Sequence, residues 1–286
     1  MTARIPAVKA VILACLCFAL LAQFPLRGAS ENKSYYTLAV LPQLPAVAIH
    51  RNWAPFVKRL AKEAGADIRL KVYQTTSQFE ADVLLKGAPD FAFMNPNQAV
   101  MAWRAHGYIP LVRDKKPVAG ILFARKDAPI NSIQELNGKE IAFVGPKTIC
   151  SIVLRHALSV AKERIHFIPR YVGTASNVFR NVILGKIPVG GTLDTSFNRE
   201  PVGVRSQLRI IYKTRIIAPH PLAARPDVPA KLRQAVIEAV LGFAENKENQ
   251  AMLKAVQMAE PVKADYKRDY MPLERLGLEK YVIGGK

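Results

Sequence analysis

Lys147, Thr148, Cys150 and Ser151 crowd into the loop Gly145 to Ser151, which runs directly into an apolar helical stretch. Two hydroxyls, an ammonium group and the free N–H groups of a helix start make a donor set suited to an oxyanion. The same residues also read as an ordinary helix start capped by Thr148 or Ser151, because Ser and Thr are favoured at that position. Thr174, Ser176 and Asn177 open another helix and carry the same two readings. Asn95 and Asn97 flank Pro96, the first residue of a third helix, and either line a cleft or serve that helix start. Cys150 invites a nucleophilic reading, since a helix N-terminus lowers a thiol's pKa. A nucleophile also needs a positioned base. None of His50, His106, His156, His166 or His220 has a spacing that nominates it, and His156 falls nearly on the opposite helical face. Cys150 therefore stays in the ligand-binding set as a small loop residue, with no catalytic residue assigned. Lys147-Thr148 lacks the upstream glycine spacing of a phosphate-binding loop. No His, Cys, Asp or Glu cluster has metal-ligand spacing, so no metal and no cofactor are expected.

The elements that would position these groups alternate in type. Tyr36 to Leu41 reads as a strand, and Asn52 as the cap of a helix whose apolar positions include Trp53, Phe56, Val57 and Leu60. Pro55 fits there if it lies in the first turn. Ile68 to Tyr73 is a strand, Ser77 to Lys86 a helix, Asp90 to Met94 a strand, Pro96 to Ala105 a helix and Ile109 to Val112 a strand. A second run follows. Val118 to Ala124, Glu140 to Val144, Phe167 to Val172, Pro188 to Thr192 and the long β-branched Leu208 to Ile217 read as strands. Between them lie a short helix opened by Ser132 and Glu135, a helix carrying Leu154, Ala157, Leu158 and Ala161, and the helix Ala175 to Leu184. Beyond that the chain turns helical, with Leu232, Val236, Val240 and Phe243 on one face. Strands alternating with helices imply α/β lobes, each a mainly parallel sheet flanked by helices. Two such runs imply two lobes facing across a cleft that closes as a clamp. The first lobe takes residues 30–115 and 217–286, and the second takes 116–216. Ligands in such sheets bind outside the carboxyl ends of the strands.

The N-terminal residues 1–29 read as a secretory signal: Arg4 and Lys9, then an apolar run from Ala10 to Ala22, then Pro25, Gly28 and Ala29. The apolar run is shorter than the roughly 20 residues of a membrane span, although an uncleaved anchor remains the alternative. Removing that segment takes three basic residues (Arg4, Lys9, Arg27) and no acidic ones, lowering the net charge from +19 to +16. It also removes Cys15 and Cys17, leaving Cys150 alone. The basic balance favours an anionic ligand or an acidic surface. No lysine-arginine block or aromatic-basic stripe points to nucleic acid.

The order of these pieces resembles the periplasmic substrate-binding proteins of phosphonate, phosphite and phosphate ABC transporters, the PhnD-like type II periplasmic-binding-protein group. Trp53-Ala54-Pro55-Phe56 is similar to that family's first helix, and Gly87-Ala88-Pro89-Asp90-Phe91-Ala92 to its glycine-x-x-aspartate strand. Met94-Asn95-Pro96 stands where the family has phenylalanine-glycine-proline. The run Leu136-Asn137-Gly138-Lys139-Glu140-Ile141-Ala142-Phe143, with Pro129-Ile130 before it, is the best match. The resemblance implies a periplasmic, monomeric protein that captures a small anionic ligand for an ABC transporter permease. It also places the anion at the helix start after the Lys139–Phe143 strand, which is the loop holding Lys147, Thr148, Cys150 and Ser151. The family's serine-threonine-serine-glycine run is Thr148-Ile149-Cys150-Ser151 here, its histidine is Ala175, its aspartate is Pro188 and its tyrosine is Ala99. The resemblance therefore implies a small or non-amino ligand.

Three functions fit: a solute-binding protein, a sensor or partner-binding protein with a changed pocket, and an exported enzyme. The absence of a catalytic constellation ranks the enzyme last. With Cys150 alone after export, the mature chain has no disulfide. Adding reductant is expected to leave its melting temperature unchanged; a clear drop would reveal a retained signal segment or a covalent dimer.

Overall fold

The computed structural model describes residues 34–161 and 164–277; residues 1–29, expected to be an export signal, lie outside them. The first run forms β1 (Tyr36–Val40), α1 (Ala46–Ala64), β2 (Ile68–Lys71), α2 (Thr76–Glu80), β3 (Phe91–Phe93), α3 (Pro96–His106) and β4 (Ile109–Asp114). The second forms β5 (Gly120–Arg125), β6 (Glu140–Phe143), α4 (Ile149–Ser159), β7 (Ile168–Tyr171), α5 (Ala175–Ile183), β8 (Val189–Leu193), α6 (Asp194–Arg199), α7 (Val202–Arg205) and β9 (Leu208–Lys213). The chain then returns through β10 (Pro221–Ala224), α8 (Ala230–Phe243), α9 (Gln250–Ala255), β11 (Pro261–Lys263), α10 (Tyr266–Asp269) and a 3-10 turn at Met271–Leu276.

Two sheets result, in the orders β11-β4-β10-β3-β1-β2 and β7-β6-β8-β5-β9. In the first, β1 to β4 run one way, while β10 and β11 enter antiparallel. In the second, β5 alone opposes β6 to β9. Helices cover both faces of each sheet. On the first, Trp53, Phe56 and Leu60 of α1 pack with Val236, Val240 and Phe243 of α8, while Phe79, Val100 and Tyr108 cover the other side. On the second, Leu154 and Leu158 of α4 pack on Leu122 and Phe143, while Val178, Phe179 and Val182 of α5 pack on Phe123 and Ala142.

Helix α1 begins at Ala46, well before the expected cap Asn52, so Pro55 lies inside the helix and not in its first turn. The helix tolerates it because Pro55 is exposed: the Arg51 carbonyl that loses its N–H partner can turn to water. The expected strand Leu208 to Ile217 stops at Lys213, and Ile217 makes only an isolated bridge with Val118. That bridge ties the two crossing segments together, through Val118 N–H to Ile217 O at 3.0 Å and the reciprocal bond at 2.8 Å. Strand β10, central in the first sheet, carries no alternation in Pro221-Leu222-Ala223-Ala224 and was not expected. The glycine-x-x-aspartate stretch has a structural reason. Gly87 sits at φ +59°, where an added Cβ would meet the His106 ring at 2.7 Å. Asp90 is buried and accepts from Thr37 N–H at 2.8 Å, locking β3 to β1.

Gly191 in β8 lies against the Phe143 ring and Leu154, and a Cβ there would approach Phe143 to 2.5 Å. Gly191→Ala is expected to destabilise by about 1–3 kcal/mol through overpacking. Gly242→Ala, in α8 with open space around it, is expected to stabilise by about 0.5–1 kcal/mol. Thermal unfolding should move the two melting temperatures in opposite directions.

Candidate functional site

Strands β6 and β7 are parallel neighbours, so their carboxyl ends deliver two helix starts side by side. Val172 N–H donates to Phe143 O and Gly173 N–H to Val144 O, both at 2.9 Å, which joins the loop before α4 to the loop before α5. At α4 the side chain of Thr148 does not cap the helix. Its Oγ1 donates to Gly145 O at 2.9 Å and lies 2.8 Å from Ser151 Oγ and 3.2 Å from Cys150 Sγ. The N–H groups of the first turn, which have no partner inside the helix, therefore keep no side-chain cap from Thr148. Ile149, Cys150 and Ser151 are all buried, Ser151 completely. At α5 the opposite holds: Thr174 Oγ1 accepts from Asn177 N–H at 3.1 Å, an ordinary cap. Asn177 Nδ2 donates to Val172 O at 2.8 Å. Thr174, Ser176 and Asn177 are exposed, and the bonds named here keep Thr174 and Asn177 within their own loop.

The facing wall comes from the first sheet. Beyond β3 the chain enters α3 through Asn95, whose N–H donates to Gln98 Oε1 at 3.0 Å. Gln98 Nε2 donates to Glu80 Oε1 at 3.1 Å. The second oxygen of Glu80 receives Lys147 Nζ from across the lobes at 3.0 Å. Lys147, expected to be a free cation for the ligand, is thus committed to a carboxylate whose side chain is 2 % exposed. Ile152, the next helical residue after Ser151, packs in the same cluster as Met94, Val100 and Tyr270 of the first sheet's side. Asn95 Oδ1 lies 2.9 Å from His220 Nε2, which is also 2.7 Å from Gln43 Nε2. Asn97 is buried and its Oδ1 has no hydrogen-bond partner among the described residues.

Glu80, Gln98 and His220 were not anticipated. Glu80 did leave a trace: it lies three and four residues before the buried Val83 and Leu84, a carboxylate on the apolar stripe of α2. The helix widens to a π turn at Ala81–Leu85 directly after it, a feature frequent at functional sites. His220 sits in an irregular crossing segment, where no periodicity marks it.

Electrostatics disfavour a nucleophilic Cys150 at this loop. Burial pushes the Cys150 thiol up, against the hydrogen bonds of Thr148 and Ser151, so at neutral pH it stays protonated. Burial, with the Arg199 charge adding to it, lowers His220 to about 4. Among the described residues no group of three or more His, Cys, Asp or Glu could hold a metal ion, and no helix is long and apolar enough to cross a membrane. A cavity of about 310 Å³ lined by Arg125, Lys126, Asp127, Ile183 and Gln207 lies elsewhere. It sits where the end of β5 meets the start of β8, opposite the loops described above.

Two helix-flanked α/β sheets joined by paired crossing segments define the type II periplasmic-binding-protein class. The chain matches the model of the family "ABC transporter, phosphonate, periplasmic substrate-binding protein" over residues 38–270, and it belongs to that family. Its structure is similar to that of PhnD1 from Prochlorococcus marinus in complex with methylphosphonate: TM-score 0.73, 15% identity, 85% of this chain and 97% of that one. The binding-protein component of an ABC phosphonate transporter from Pseudomonas aeruginosa gives 0.69 at 15% identity, with 86% of each chain covered. A Xanthomonas citri protein bound to ATP gives 0.73 at 16% identity, covering 87% and 98%. A comparison with curated protein sequences finds no match.

His220 provides a test of this geometry. Its folded pKa lies below the ordinary 6.5, so the unfolded chain binds the proton first as pH falls. The associated stability is complete above pH 6.5 and is lost on the way down to about pH 4, amounting to about 3 kcal/mol. Denaturant unfolding across that window should show the loss in the wild type and a shallower slope in His220→Gln.

Proposed function

We propose that this protein captures a small oxyanion of the phosphonate, phosphite or phosphate type between its lobes and passes it to the permease of an ABC transporter. The observation that carries the reading is the start of α4, where the half-buried Thr148 hydroxyl pairs with that of the fully buried Ser151, beside first-turn N–H groups that Thr148 does not cap. A helix start of that kind favours negative charge through both its N–H groups and its dipole. Membership of a periplasmic substrate-binding family supports the same direction. On this reading residues 1–29 are removed on export, lobe one is 30–115 with 217–286, and lobe two is 116–216. The protein acts as a monomer without a cofactor and catalyses nothing. The ligand set is Lys147, Thr148, Cys150 and Ser151, with Thr174, Ser176 and Asn177 beside them and Asn95 and Asn97 opposite.

One observation favours a second reading, a sensor or partner-binding protein with a changed pocket: Lys147 is already paired with Glu80. A thermal-shift screen of phosphate, phosphite, phosphonates, sulfonates and small carboxylates separates the two. A true ligand at 100 times its dissociation constant should add about 2.7 kcal/mol, whereas a degenerate pocket should respond to none. Against the best ligand, the Thr148→Ala, Ser151→Ala double variant is expected to bind on the order of tenfold to a hundredfold more weakly by calorimetry. Equal affinities would exclude this loop as the anion site.

A further inference from the structure

The ion pair between Glu80 and Lys147 joins unequal partners. Glu80 is fixed from its own lobe. Gln98 Nε2 donates to its Oε1 at 3.1 Å, and that amide is kept from turning away because its own oxygen accepts from Asn95 N–H at 3.0 Å. The Glu80 side chain is 2 % exposed, whereas that of Lys147 is 34 % exposed and spans the lobes on a flexible four-carbon stem. An ammonium carries three donors, and Glu80 Oε2 takes one of them at 3.0 Å. Lys147 is therefore the partner that a solute can reach and the partner that can move.

The backbone sets that lysine at the oxyanion loop. Thr148 N–H donates to Gly145 O at 3.3 Å and Thr148 Oγ1 donates to the same oxygen at 2.9 Å, closing a tight turn around Pro146 and Lys147. The same Oγ1 lies 2.8 Å from Ser151 Oγ. The loop thus carries an ammonium together with its hydroxyl pair, and the ammonium is engaged by an anion that belongs to the protein. A carboxylate offers Lys147 the kind of acceptor that an oxyanion would bring, a charged oxygen with lone pairs to spare.

Resting on the reading of this cleft as an oxyanion site, we propose that Glu80 is its built-in competitor: the carboxylate holds Lys147, and an oxyanion captured at the α4 loop takes the ammonium from it. The contact is autoinhibitory. When Lys147 turns to the ligand, Glu80 keeps its bond from Gln98 but loses its counter-charge, and a buried carboxylate without one is costly. That cost is subtracted from the binding of every anion, so wild-type affinity sits below what the donors of the loop could give. The pairing of Lys147 with Glu80 then belongs to a working binding site, as the element that sets its affinity.

Calorimetry on the mature protein with methylphosphonate, inorganic phosphite and inorganic phosphate provides the test. Glu80→Gln keeps the side chain's shape and the oxygen that accepts from Gln98, and removes the charge that holds Lys147. This variant should bind at least one of the three anions about tenfold to a hundredfold more tightly than the wild type, the worth of one hydrogen bond to a charged group. Adding Lys147→Met to it should abolish the gain. A Glu80 that only braces the lobes predicts the reverse, a loss of affinity in the single variant. Equal or weaker binding by Glu80→Gln, or a gain that survives Lys147→Met, would overturn the assignment while leaving the oxyanion site standing. Should Glu80→Gln fold poorly by circular dichroism, Glu80→Asp, whose carboxylate draws back by one methylene, is judged by the same outcomes. If none of the three anions binds the wild type or the variants, the oxyanion reading itself fails and this inference falls with it.

Discussion

A carboxylate buried as deeply as that of Glu80 must be paired, because an uncompensated charge away from water costs several kcal/mol. Glu80 takes one partner from its own lobe, Gln98, and the other, Lys147, from the opposite lobe. Much else in the site follows from this pairing. It holds the loop before α4 against α2 and α3, so that Ser151 and Ile152 are fully buried. It gives Lys147 a carboxylate partner, beside which the loop also carries the Thr148 and Ser151 hydroxyls and the first-turn N–H groups of α4. Those are directional donors that favour one geometry, where a lone ammonium would attract any anion.

The two lobes contribute different chemistry for a topological reason. Parallel β6 and β7 end at the same edge of their sheet, so the starts of α4 and α5 must emerge together. The sequences of those starts then decide their use. Thr174 satisfies its own helix, whereas Thr148 turns back to Gly145 and sideways to Ser151. On the first sheet, β3 is flanked by β1 and by the returning β10. Its carboxyl end is fixed in the middle of the sheet, and α3 must start at that edge. The return of the chain matters equally at the C-terminus. Asp269 of α10 is held well below the ordinary carboxylate range: burial works to raise it, but bonds from Arg268 and Arg113 outweigh that cost. Through Arg113 this carboxylate anchors the last helical turns to β4.

Fold class was legible because each strand and helix repeats a local period. Trp53, Phe56, Val57 and Leu60 show a helix whether or not its start is placed correctly, and the misplaced start at Asn52 changed nothing in the layer it builds. Strand β10 escaped notice since a strand buried on both faces needs no alternation, and Pro221-Leu222-Ala223-Ala224 shows none. The hydroxyl loop at Thr148 was readable for the opposite reason, since donors clustered at a helix start are a local signal. Glu80, Gln98 and His220 were not, because a polar residue becomes part of a site only when distant segments bury it together.

The sequence by itself determined the alternation of elements, Cys150 as the one cysteine beyond residues 1–29, the basic balance and the identity of the donors at the head of α4. Those properties depend on residue type and on neighbours within a few positions. Tertiary structure alone decided that Lys147 meets Glu80, that Thr148 leaves its helix uncapped while Thr174 does not, and that Asn97 keeps an oxygen unpaired among the described residues. Each of these is an outcome of competition for hydrogen bonds among groups far apart in the chain. Such competition is settled by burial, which no local pattern encodes.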